Sequence, residues 1–258
     1  MSTAVKKVLV VGATGSIGRQ VIIEGNQAKL AMRALVRDRK QAELFPTGVE
    51  VAVGDLTESS SLGPALDGID AVVFTHGANG RPPGPEAVDY GAVRNVLAAL
   101  AGRQVRIALM TTVAVTDRKG AHDWKRRGER LVRASGMPYT IVRPGWFDAN
   151  RPGQHRIVML QGDRNQSGTP RDGVIARQQL ARVLLWSVRS DAARGKTFEL
   201  TSDDGPEQDD LDVVAEKLDR DIQGALDAVH DAPNMALSAE PDSVRNDLQH
   251  VRGRSPQH

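Results

Sequence analysis

No cysteine occurs in the sequence, which excludes a disulfide framework, a thiolate zinc site and a cysteine nucleophile. Any redox chemistry must therefore come from a bound cofactor. Aromatic residues make up only 3% of the chain, against 40% apolar residues in all. Val, Leu, Ile and Ala then fill the interior, as suits parallel strands buried on both faces. No apolar run approaches the length that crosses a bilayer, and no secretory leader is read before the apolar run that starts at Lys7. The expectation is a soluble, cytoplasmic protein with no membrane partner. Its 258 residues suit one α/β domain with an appendage.

Net charge is small but unevenly placed. The formal charge is +2, yet residues 1–202 carry 29 Lys and Arg against 18 Asp and Glu, and residues 203–258 carry 5 against 14. A basic body favours anionic ligands, such as a phosphorylated cofactor or nucleic acid; equally, an acidic tail can lie over it. The basic residues are not gathered with aromatics on one face and no recognition motif appears, so nucleic acid is not an expected partner.

Apolar runs of strand length recur at 7–11, 30–36, 49–53, 70–75, 106–112 and 139–144, with candidate helices near 16–28, 59–66, 86–101 and 122–135 between them. Strands alternating with helices predict right-handed crossovers and a Rossmann-type doubly wound α/β fold with a parallel sheet. Residues 1–202 form the body, with a smaller substrate lobe at about 145–202. Within that lobe, most of the polar residues of 151–177, His155, Gln161, Asp163 and several arginines, read as the ordinary surface charge of a solvent-facing β-hairpin, contact with an anionic substrate being the alternative; VIARQQLARVLLWSV reads as a helix, and KTFELTS as a final edge strand. Beyond Asp203, Leu211, Val214, Leu218, Ile222, Leu226 and Val229 form one apolar stripe at helical spacing. That helix packs on its own body or, as the sharper alternative, on a second subunit in a homodimer. Residues 233–258 are expected to be mobile for the most part.

The stretch VLVVGATGSIGRQ carries the first functional signal. A strand that ends in three glycines three residues apart and runs into a helix brings backbone N–H groups and the positive helix end to an anion. Gly12 allows the tight turn, Gly15 removes a side chain that would block phosphates, and Gly18 lets helix and strand approach. Thr14 and Ser16 add hydroxyls, and Ile17 continues the turn. This is a dinucleotide site. At the end of the second strand an acid would accept from a ribose 2′-hydroxyl, whereas a base would pair with the extra phosphate of NADP. ALVRDRK puts Arg37 there, which favours NADPH over NADH; a slip of one residue would bring Asp38 to the ribose instead.

GATGSIG, ALVRD, VGDLTESSSLGPALDGIDAVVFTHGA and LVRASGMPYTIVRPGWFD together resemble the atypical short-chain dehydrogenase/reductase proteins, the NmrA-like and NAD(P)H-binding group, over roughly residues 6–200. The resemblance implies that Asp55 and Leu56 meet the adenine. It places Thr75, His76 and Gly77 along the ribose and pyrophosphate side, and Met110, Thr111 and Thr112 beneath the nicotinamide. Lys125 would bond the nicotinamide ribose, and Pro144, Gly145 and Trp146 would back the nicotinamide amide.

The departures matter as much. Such dehydrogenases place a tyrosine four residues before the lysine as general acid, and here that residue is Ala121; a hydroxyl of the same motif is replaced by Val113. Tyr90 and Tyr139 are the only tyrosines, and neither sits where it could substitute. Two functions follow from this. One is an oxidoreductase passing hydride from NADPH to a small acceptor, a flavin, quinone or carbonyl, with Lys125, Thr112 and His122 as catalytic candidates. The other is an NADP-binding sensor that does not turn over.

Overall fold

The computed structural model describes residues 5–78 and 80–253. In chain order the elements are β1 (Lys7–Val11), α1 (Ser16–Gln27), β2 (Ala31–Val36), β3 (Glu50–Val53), α2 (Gly63–Leu66), β4 (Ala71–Phe74), α3 (Gly91–Leu100), β5 (Arg106–Met110) and α4 (Gly120–Ala134). There follow β6 (Tyr139–Pro144), β7 (Trp146–Phe147), β8 (Arg156–Leu160), β9 (Val174–Ile175), α5 (Arg177–Arg189), β10 (Lys196–Asp203), α6 (Leu211–Ala215) and α7 (Asp242–Gly253).

Eight strands form one sheet in the order β3-β2-β1-β4-β5-β6-β10-β8. All its pairs are parallel except β10 with β8. In β1 the alternation of a strand sends Val8 and Val10 to a core shared with α1 and α5, and Leu9 and Val11 to a core shared with α3 and α4. Both faces are thus covered, and the carboxyl ends of β1, β2, β4, β5 and β6 open on one edge. The strand order reverses between β1 and β4, the place where such sheets leave a ligand crevice. No helix is long and apolar enough to cross a membrane among the described residues.

The C-terminal third departs from expectation. KTFELTS is an inner strand: β10 pairs with β6 on one side and with antiparallel β8 on the other. Residues 151–177 do not make a hairpin, because β8 joins the main sheet while β9 pairs in parallel with β7. Beyond the outer edge of β8, the Gln208 side-chain amide bonds both the N–H and the carbonyl of Ile157, each at 2.8 Å, standing in for a further strand.

The predicted long helix over the apolar stripe is also replaced. Only Leu211–Ala215 is helical there; Ile222 is 65% exposed and Gly224 lies at φ +80°. Its carboxylates explain why. Arg126, Arg130 and Arg133 of α4 and Arg143 of β6 are buried, and the acidic segment lays its charges on them. Asp221 reaches Arg133, Asp227 reaches Arg126 and Arg130, Asp231 reaches Arg143, and Glu240 reaches Arg127 and Arg130, at 2.6–3.1 Å. A straight helix would carry these carboxylates around its circumference and could not set them all on one row of arginines. Residues 242–253, expected to be mobile, form α7 with Val244 and Leu248 buried against the helical face of the second core. The charge asymmetry of the sequence is thereby matched within one chain, and the homodimer through a C-terminal helix loses the exposed stripe that motivated it.

Candidate functional site: a dinucleotide cleft and an adjoining acceptor cavity

The turn after β1 is shaped by its glycines. Gly12 sits at φ +82°, and a Cβ there would lie 2.7 Å from the backbone N of His76. A Cβ at Gly18 would lie 2.3 Å from the Gly12 carbonyl oxygen, so the turn and the first helical residues close on each other only without side chains. Gly15, the residue capping α1, offers no side-chain cap, and the first turn of α1 holds no acid. The backbone N–H groups of Ser16, Ile17 and Gly18 are left for an anion. The side chain of Ile17 itself is buried in the core.

A cavity of about 390 Å³ runs from this turn across the carboxyl edge and is lined by Gly12, Thr14, Gly15, Arg37, Asp55, Leu56, Thr75, His76 and Gly77, among others. At its ribose end Arg37 and Asp38 part company. β2 ends at Val36, and the Asp38 carboxylate turns back to accept from the Lys40 N–H at 2.9 Å, in a capping box completed by Gln41. Arg37 faces the cavity and Asp38 does not. Asp55 accepts from the backbone N–H and hydroxyl of Thr57, and these bonds hold its carboxyl below the ordinary value.

His76 is a buried polar group of this cleft. Burial, reinforced by the Lys125 ammonium, pushes its ring down to about 4, so the imidazole is neutral. Nε2 lies 3.4 Å from the Asp89 carbonyl oxygen, which can only accept, and therefore carries the proton. Nδ1 is then a bare acceptor, buried and unpartnered. An orphaned acceptor in the wall of a cleft is the complement of a ligand hydroxyl. Together with the glycine cradle, it fits a dinucleotide.

Lys125 lines neither cavity. Its ammonium bonds the Asp89 carboxylate at 2.6 Å, behind His76. Met110 is packed against the core, and the Thr111 hydroxyl donates to Glu129 at 2.7 Å, away from the cleft. Tyr90 and Tyr139 donate to Asp247 and Asp221, and burial raises both phenols well above their ordinary value. Neither is a proton donor at neutral pH.

A second cavity of about 310 Å³ lies past the end of β5 and is lined by Thr111, Thr112, Val113, His122, Pro144, Gly145, Trp146 and Phe147, among others. Gly145 is needed here because a Cβ would lie 2.4 Å from the Gly173 carbonyl oxygen. Two residues that sequence reasoning missed flank the cavities. Arg177, the first residue of α5, bonds the Ser16 hydroxyl at 3.2 Å, lies over the Phe147 ring and is paired with the Asp148 carboxylate, so a cation with one carboxylate partner stands beside the anion-facing turn. Arg81 lines the first cavity together with Arg37. Of the arginines in 151–177, Arg151 and Arg156 pair with Asp204 and Asp203 at the surface. Among the described residues no cluster of three or more His, Asp or Glu could hold a metal.

Known proteins share this fold and family. Among curated relatives, an NAD(P)H azoreductase of Xenophilus azovorans is 37% identical over 147 residues, covering 55% of this chain and 49% of that protein. The chain thus spans about half of that relative. The sanguinarine reductase of Eschscholzia californica is 26% identical over 74% of this chain and 86% of its own length. Among solved structures, a putative NAD-dependent epimerase/dehydratase from Bacillus halodurans superposes with a TM-score of 0.67 at 26% identity, covering 83% of this chain and 100% of that one. The model of the NAD(P)H-binding family matches residues 12–191. That match covers well over half of the chain, and it shows that the chain belongs to the NAD(P)H-binding family of atypical short-chain dehydrogenase/reductase proteins.

Proposed function

We propose that the protein is an NADPH-dependent oxidoreductase that reduces a small acceptor held in the second cavity. The observation that carries the cofactor choice is the division of labour at the end of β2: Arg37 faces the cleft, and Asp38 is consumed by its own capping box. A guanidinium at that position pairs with the 2′-phosphate. The turn from Gly12 to Gly18, with Thr14 and Ser16, holds the pyrophosphate, and Arg177 supports it. Asp55 and Leu56 hold the adenine, Thr75, His76 and Gly77 the sugar and phosphate side, and Pro144, Gly145 and Trp146 back the nicotinamide. Lys125 acts from behind this wall, keeping Asp89 and through it the His76 ring in place.

When bound there, the reduced nicotinamide supplies a hydride. The chain's own contribution is to place the acceptor against Thr112, His122 and Trp146 and to exclude water from the apolar walls, so that positioning provides most of the rate. The relatives named as reductases support this reading.

A second reading, binding without turnover, is favoured by one feature: the standard tyrosine is Ala121, and both tyrosines are committed elsewhere. Following NADPH absorbance with purified protein against quinones, flavins and aldehydes separates the two. Acceptor-dependent oxidation is expected with at least one class. Tight NADPH binding with no oxidation by any of them would establish the sensor.

A further inference from the structure

The imidazole of His122 lines the second cavity and is held there by bonds to the chain. His122 stands in the first turn of α4, and its Nδ1 lies 2.8 Å from the Ala114 carbonyl oxygen and 2.9 Å from Asp117 Oδ1. A carbonyl oxygen only accepts, so Nδ1 must carry a proton. This fixes the ring tautomer and leaves Nε2, the opposite nitrogen, without a partner among the described residues, in a residue that lines the cavity. The Asp117 side chain is 5% exposed and also accepts from the Lys119 N–H at 3.0 Å. Ala114 is held at φ +59° between buried bonds from its N–H and from Thr116 to the Asp163 carboxylate. The loop that orients the ring is therefore anchored from beneath.

We propose that Asp117 and His122 form a proton-donating pair, with Asp117 the positioning residue and His122 Nε2 the acid, for a planar conjugated carbonyl acceptor such as a quinone or enone. The inference rests on the reductase reading above and names its substrate class. The cavity selects that class by what lines it. Val113, Pro144, Phe147 and the 45% exposed Trp146 give flat apolar walls, which suit a conjugated ring system. No lysine or arginine is among its lining residues, and the one carboxylate, Asp172, is taken up by the backbone N–H groups of Ser167, Gly168 and Thr169.

In the reaction, the electrophilic carbon of the acceptor receives the hydride and its π pair moves to the carbonyl oxygen. The Nε2 proton of the imidazolium passes to that oxygen, giving the alcohol, enol or hydroquinone and a neutral imidazole. Water then returns the proton to Nε2. During this cycle Asp117 holds Nδ1–H and offsets the positive charge on the ring. The charged groups around the ring are Asp117 with Lys119, Arg118 with Asp123, and Asp172 in the same cavity.

Nitrogen-15 NMR of the protein without cofactor tests the arrangement directly. His122, assigned through the H122Q variant, should show the Nδ1–H tautomer when neutral, and D117N should shift it toward the other tautomer. The Nε2–H tautomer in the wild type would overturn the pair whatever the activity. With NADPH and a quinone or enone, H122N keeps a donor at the Nδ1 position but has no acid, and its kcat should fall about a hundredfold or more. NADPH affinity should stay within about twofold. Unchanged kcat in H122N would dismiss the pair and leave the reductase reading standing. A wild type that binds NADPH yet reduces no acceptor would remove both.

Discussion

The R37Q variant should bind NADPH about ten to a hundredfold more weakly than the wild type, while its affinity for NADH changes by less than about threefold. The size follows from the interaction removed. A hydrogen-bonded pair between a guanidinium and a phosphate contributes about 1.5–3 kcal/mol, and each 1.4 kcal/mol is about tenfold in affinity. NADH has no 2′-phosphate and loses nothing specific. D38N serves as the partner experiment: its side chain still accepts from the Lys40 N–H, so the preference for NADPH should persist. Equal losses of the two coenzymes in R37Q would mean that the guanidinium does not meet the phosphate, and Arg81, the other cation in the cavity, would become the site of discrimination. Calorimetric titration of both variants with both coenzymes measures all four quantities.

Replacing Arg143 with Met should lower the unfolding free energy by about 3–5 kcal/mol, the range for leaving buried charges without their partner. Arg143 is fully buried and bonds Glu129 and Asp231 at 2.7 Å and Glu199 at 3.2 Å. The side chains of Glu129 and Asp231 are themselves fully buried. Burial pushes Glu199 up to about 7 even with this guanidinium present, the neighbouring Asp163 charge adding to the rise. Removing the cation leaves three carboxyls in the interior with one arginine, Arg133, to serve Glu129. By contrast R151A removes a pair whose two side chains are 69% and 68% exposed and should cost less than about 1 kcal/mol. Urea unfolding of both variants gives the comparison. Similar small losses would show that the arginine row is solvated rather than buried and that the acidic segment is not clasped by it.

How much of this was legible in the sequence depended on how local the physics is. The first crossover was, because strand, turn and helix are neighbours in the chain and Gly12, Gly15 and Gly18 each answer a local steric need. Which of Arg37 and Asp38 faces the cleft was decidable as well. Asp38 and Gln41 stand at capping-box spacing, and a carboxylate so placed folds back on its own backbone. Asp117 escaped notice because five residues before His122 corresponds to no helical or strand face; only a loop with left-handed residues at Ala114 and Arg118 brings the two together.

The C-terminal segment misled for the opposite reason. Leu211 to Val229 has helical spacing, but spacing counts only the apolar side of the ledger. The four arginines on α4 and β6 bind carboxylates far away in sequence, and no local pattern announces that. Nor does KTFELTS reveal that β8, earlier in the chain, lies antiparallel beside it and takes the edge.

The central claim is that the backbone between Gly12 and Gly18 holds the pyrophosphate of a phosphorylated nicotinamide dinucleotide, with the nicotinamide end directed toward the cavity of Thr112, His122 and Trp146. A crystal structure of the protein grown with NADPH tests it most directly. The account predicts diphosphate density within hydrogen-bonding distance of the N–H groups that open α1, and a 2′-phosphate against Arg37. A clear cleft in crystals that contain saturating NADPH, or the coenzyme bound elsewhere on the molecule, would contradict it.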